Sequence, residues 1–215
     1  MGNAKRNTKW AIRLVTFVLA AAFVFRDSPA RAEERTFALA MTVSEPGQVP
    51  VRDDAWIDAQ IAEAERLFGP VGVHFRWTIR KIGKPEPSRV EIETREDRDA
   101  LTDGLEPGCI NVFVVRSLRD VDEPPRVRMG VTWTQRENKR RYVVLSSIAK
   151  PSVLAHELGH FFGNGHTKVV NNLMSYERDG GVVFLSDEQK TRIADYASGF
   201  ARGALVVLGP PRFMH

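Results

Sequence analysis

From residue 35 to residue 43 apolar and polar positions alternate, with Phe37, Leu39, Met41 and Val43 on one side. A period of two predicts a strand with one buried face. Glu45, Pro46 and Gly47 break the run. Trp56, Ile57, Ile61, Ala64 and Leu67 then recur every three or four positions. That period predicts a helix, capped by Asp53 or Asp54 and ending near Phe68, ahead of Gly69 and Pro70. Alternation resumes over 73–82, where Val73, Phe75, Trp77 and Ile79 share a face and His74 falls on the exposed one. Lys84 to Pro87 reads as a loop, and the charged stretch 95–103 as a short helix. Cys109 to Val115 is apolar without interruption, the pattern of a central strand covered on both faces.

Residues 117–129 are polar and contain Pro124 and Pro125, so a surface loop is expected there. Two further strands follow, 131–134 and 142–147, with Arg136 to Arg141 as a solvated basic tip between them. A helix starts near Pro151 and runs to about Phe162. Ser186 and Gln189 have the spacing of a capping box, opening a last helix that runs to about Gly199. The expected order is strand, helix, four strands, site helix and final helix, read as α+β.

The ends of the chain change how its charge is read. Lys5, Arg6 and Lys9 precede an apolar run from Leu14 to Phe25, and Ala30 and Ala32 are small residues at cleavage-site spacing. Residues 1–32 are therefore expected to be a signal peptide, with an uncleaved N-terminal anchor as the alternative. The run is too short for a convincing membrane span, as is the apolar tail at 204–208. The remainder, 33–215, is one domain's worth of chain, expected to be secreted or periplasmic without stable membrane insertion. Six of the 31 basic residues and one of the 27 acidic residues lie in the first 32, leaving 25 and 26. That near-neutral balance removes the charge argument for a nucleic-acid partner. The single cysteine, Cys109, excludes an intramolecular disulfide and reads as a small buried hydrophobe. Asp120, Asp122 and Glu123 are candidates for a Ca²⁺ group but lack a ligand spacing, and ordinary solvated acids are the expectation. The sequence leaves the oligomeric state open.

The chemistry is concentrated between residues 156 and 176. His156 and His160 lie four apart, so a helix presents both imidazoles on one face. Glu157 is one position round, able to lean over that face without being a ligand. Gly163 permits a positive φ at the helix end, and the returning chain delivers His166. Three neutral histidines leave the fourth position of a Zn²⁺ open to water, the arrangement of a catalytic site.

Followed by Asn172, Leu173, Met174, Ser175 and Tyr176, this pattern resembles the metzincin clan of zinc peptidases. The resemblance implies His156, His160 and His166 as ligands, Glu157 as general base, Gly163 as the turn glycine and Met174 as the methionine beneath the metal. Tyr176 stands where the astacin-like and serralysin-like branches carry a tyrosine that approaches the zinc or the oxyanion. The short interval from His166 to Met174 is closer to the matrix-metalloproteinase branch, and Thr167 matches none of them, so the branch is unassigned. The implied fold is a twisted five-stranded mixed sheet with two long helices above the cleft and an irregular lower part ending in a C-terminal helix. The implied activity is zinc-dependent endopeptidase action on a peptide or protein lying along an edge strand, here Val131, Thr132, Trp133 and Thr134. Two alternatives share the scaffold: a silent zinc-binding or adhesion module, and an amidase of cell-wall peptides.

Overall fold

A computed structural model describes residues 34–83 and 90–201. The signal-like segment, the Lys84 to Pro87 loop and the tail at 204–208 lie outside the described residues. Eleven elements follow in chain order: β1 (Arg35–Ser44), α1 (Asp54–Phe68), β2 (Val73–Gly83), β3 (Glu91–Ile92), α2 (Arg95–Ala100), β4 (Ile110–Val115), β5 (Ser117–Leu118), β6 (Gly130–Thr134), β7 (Arg141–Ser146), α3 (Ser152–Phe161) and α4 (Asp187–Ala201). Asp53 caps α1, its carboxylate accepting from the Trp56 N–H at 2.9 Å. Thr94 and Asp97 form a reciprocal capping box on α2.

Five strands form one sheet in the order β2-β1-β4-β7-β6. The first four run parallel, and β6 pairs antiparallel with β7, so the sheet is mixed. β6 is an edge, with backbone groups free on its outer side. The main core lies between the sheet and helices α1, α3 and α4, where Leu39, Met41, Ile57, Val112, Leu145 and Leu158 are all at 0% exposure. Phe37 meets Phe162 and Phe200 edge-on, each at 5.4 Å, which ties the end of α3 and α4 to the same strand. The opposite face is covered by the α2 region, with Phe113, Tyr142 and Val144 packed against Ile92, Leu101 and Leu118.

Several sequence expectations change in this setting. β1 is buried on both faces rather than one, because it sits between β2 and β4 and its second face presents Ala38 and Ala40 to the buried Cys109. His74 is half-buried and bonded through Nδ1 to Glu65 at 2.8 Å, so it is neither solvated nor near the other histidines. Of the acids at 120–123, Asp122 and Glu123 are exposed as expected and Asp120 is not. Asp120 is 1% exposed and meets Arg128 at 2.7 Å, while Asp122 and Glu123 turn to Arg95 and Arg126. Each carboxylate is taken up by an arginine, which leaves no support for Ca²⁺ there. Arg141, expected at a solvated tip, belongs to β7 and donates to the Phe161 carbonyl at 3.0 Å.

Candidate metal centre and cleft

Helix α3 carries His156, Glu157 and His160, and its position is set by α1. The buried Gln60 of α1 accepts from the Leu154 N–H at 3.0 Å and donates to the Lys150 carbonyl at 2.9 Å. One amide thus satisfies an orphan donor in the first turn of α3, where Pro151 supplies no side-chain cap. At the far end Gly163 adopts φ +83°. A Cβ there would also stand 2.5 Å from the Tyr196 ring, so both backbone and packing require glycine. The chain turns and brings His166 back over the helix.

The nitrogen donors of His156, His160 and His166 lie within 4.8 Å of one another, and they are the one such group among the described residues. Main-chain carbonyls orient two of the rings. Leu173 O faces His156 Nδ1 at 2.7 Å, and Asn164 O faces His160 Nδ1 at 2.8 Å. A carbonyl only accepts, so each Nδ1 carries the proton and each Nε2 keeps a lone pair for the centre. Burial pushes the His156 pKa down to about 4 and lowers those of His160 and His166. All three rings are therefore neutral near pH 7, which is the form that binds a metal. Three neutral nitrogen donors on one side of an open cleft match the needs of a divalent ion with a free coordination position.

The floor of the site is Met174, at 0% exposure, in a turn held by a pair of buried amides. Asn172 donates to Gln189 Oε1 at 2.8 Å, and Gln189 donates back to Asn172 Oδ1 at 3.0 Å. The same Asn172 oxygen accepts the Met174 N–H at 2.9 Å, so the turn is fastened to the first turn of α4. Glu157 is 5% exposed, and burial pushes its carboxyl up to about 7 although Thr132 bonds to it. The Thr132 hydroxyl lies 2.6 Å from the Glu157 carbonyl and 3.0 Å from its Oε2. Tyr176 is exposed, with its hydroxyl 2.8 Å from His166 Nε2.

No family model matches the chain. In sequence it is 34% identical over 74 residues to type II secretion system protein I of Pectobacterium carotovorum subsp. carotovorum, covering 34% of this chain and 60% of that protein's length. Solved structures align over far more of it. Mature mirolysin of Tannerella forsythia, in complex with a cleaved peptide, matches with a TM-score of 0.56 at 12% identity, covering 83% of this chain and 99% of that one. Archaemetzincin of Methanopyrus kandleri matches with a TM-score of 0.51 at 17% identity, covering 80% and 99%. The chain has the metzincin fold.

The cleft is lined by β6 and holds two cavities, one of about 350 Å³ against His160 and His166 and one of about 440 Å³ against His156. The four residues expected to form the substrate edge do form β6, but their side chains divide. Val131 and Trp133 pack into the α2 face, where the Trp133 N–H donates to Asp99 at 2.6 Å. Thr132 turns the other way, to Glu157. Thr134 is exposed, and Val131, Thr132 and Thr134 line the smaller cavity. Gln60, Gly130 and Gly159 carry no expectation from sequence, and the bonds of Thr132 to Glu157 and of Asn172 to Gln189 were not expected of those residues. Their one visible signal was an apolar stripe on α1 interrupted by a glutamine. Gly159, a variable position of the histidine motif, would put a Cβ 2.4 Å from Met174 Sδ.

Proposed function

We propose that the protein is an exported zinc-dependent endopeptidase, with residues 33–215 as its catalytic domain and residues 1–32 as its signal peptide. The observation that carries the reading is the convergence of three neutral imidazoles, two of them held in their tautomer by main-chain carbonyls, beside a buried carboxyl. His156, His160 and His166 would hold the zinc. When bound, zinc supplies Lewis acidity to water and to the scissile carbonyl. Glu157 accepts a proton as the water oxygen attacks the carbonyl carbon, and delivers it to the amine nitrogen as the C–N bond breaks. Thr132 holds the Glu157 carboxyl in place during both transfers. The Tyr176 hydroxyl, exposed beside His166, would donate to the oxyanion. The peptide lies extended along β6 and adds its backbone hydrogen bonds to that edge. Mirolysin's complex with a cleaved peptide supports a peptide as the substrate class. No described helix is long and apolar enough to cross a membrane.

The test is cleavage of a peptide library, cell-wall peptides included, by the purified protein with and without chelator. Cleavage that needs zinc is expected. Glu157→Gln should lose turnover by a factor of about 10³ or more while still binding one zinc per chain. Undiminished cleavage by that variant would remove Glu157 from the mechanism. A wild-type protein that binds zinc yet cleaves nothing in the library would favour the silent-module reading.

A further inference from the structure

The larger cavity beside the histidines is ringed by cations. Arg126, Arg128, Lys150 and Arg178 line it, and the one acid on its wall is Glu157. The chain beyond residue 32 has nearly equal numbers of basic and acidic residues, so this is a local concentration and not a reflection of overall charge. Two of the four cations are already matched, Arg126 by Glu123 at 3.4 Å and Arg128 by the buried Asp120 at 2.7 Å. Among the described residues neither Lys150 nor Arg178 is in an ion pair with a carboxylate. Arg178 is nevertheless held firmly. It donates to the carbonyls of Asn172 and Glu177, each at 3.0 Å, and of Leu173 at 3.3 Å. A guanidinium has five N–H groups, so two stay available for a ligand. Met129, Val153 and Val183 supply apolar wall beside these charges, which lowers the local dielectric and strengthens any ion pair formed there.

We propose that this cavity receives a carboxylate carried by the substrate residue flanking the scissile bond, with Arg178 and Lys150 as its counter-charges. The proposal rests on the peptidase reading and deepens it to peptides acidic at the cut. A fixed guanidinium with spare donors and a mobile ammonium suit a carboxylate better than an amide or an alkyl group. That carboxylate has two possible sources, an Asp or Glu side chain and the free C-terminus of a peptide.

The test compares three peptide sets of otherwise identical sequence, cleaved by the zinc-loaded protein. One has Asp or Glu beside the cut and an amidated end, one has Asn or Gln there and an amidated end, and one has Asn or Gln with a free C-terminal carboxylate one residue past the cut. A kcat/KM about tenfold higher for the first set than the second is expected, and preference for the third instead would identify the C-terminus as the source. Lys150→Gln should cut the preference severalfold and Lys150→Glu should invert it. Because Arg178 also braces the turn at Leu173, Lys150, whose side chain makes no hydrogen bond among the described residues, is the variant that decides. Equal rates for all three sets would overturn the inference and leave the peptidase reading standing. If no peptide is cut, that reading fails, and binding of the same labelled peptides to the Glu157→Gln protein decides the inference alone. Tighter binding of a carboxylate set, lost in Lys150→Gln, would uphold it, and equal or absent binding would overturn it.

Discussion

Gly130, like Gly159 and Gly163, acts through the space it leaves empty. A Cβ on Gly130 would stand 2.7 Å from Val153 Cγ1 and 3.0 Å from Glu157 Oε1. Val153 is on α3 and Glu157 is buried, so the added methyl displaces the carboxyl from its bond with Thr132. Gly130→Ala should therefore lower kcat about 10- to 100-fold, the usual cost of a small misplacement of a catalytic group. Zinc content should be unchanged, and an unaltered kcat would show that the carboxyl has room to yield. The histidines make a related point. Their orienting partners are the carbonyls of Leu173 and Asn164, and a main-chain acceptor leaves no mark in a sequence. The residue types of the site were legible, whereas the groups that aim them were not.

At the scale of elements, the site helix and the methionine turn are each fastened by a buried amide from elsewhere. Gln60 lies some ninety positions before its partners on α3, and its own helix shows only a polar position next to an apolar stripe. Gln60→Leu keeps the volume but strands the Leu154 N–H, while the Lys150 carbonyl keeps its bond from the Val153 N–H. Each buried polar group left unpaired costs roughly 1–3 kcal/mol. A loss of about 2 kcal/mol would lower Tm by about 4–8 °C for a domain of this size, measurable by calorimetry, and an unchanged Tm would mean that water replaces the amide. Asn172 and Gln189 bond to each other in both directions, so their single alanine variants should not add. A double-mutant cycle on thermal stability should give a coupling of about 0.5–3 kcal/mol, and a value near zero would show that the turn stands without α4.

For the molecule as a whole, the three histidines join α3 to the irregular lower part of the chain, so a bound metal braces one against the other. A ligand that binds only the native state at about a thousand times its Kd stabilises by roughly 4 kcal/mol. Chelation should then lower Tm by about 8–16 °C, with recovery on adding zinc and no response in His160→Ala. Equal Tm values with and without chelator would show that the upper and lower parts hold together without the ion.

The period of the apolar positions was enough to draw β1, α1 and β2, an unbroken apolar run to draw β4, and the start signals at Pro151 and at Ser186 with Gln189 to draw α3 and α4, because each is a local pattern within a few residues. The spacing of His156, Glu157, His160, Gly163 and His166 was enough to collect the site for the same reason, since all five lie within three turns of one chain segment. Sheet order is different in kind. That β1 is interior, that β6 is the free edge, and that Thr132 faces Glu157 while Trp133 faces Asp99 depend on which strands meet across tens of residues. The pairing of Asp120 with Arg128 and the ring of cations over the cleft arise in the same way, from segments far apart in sequence. Local pattern carries no term for such encounters. They are decided only when burial of the whole core selects one arrangement of the elements.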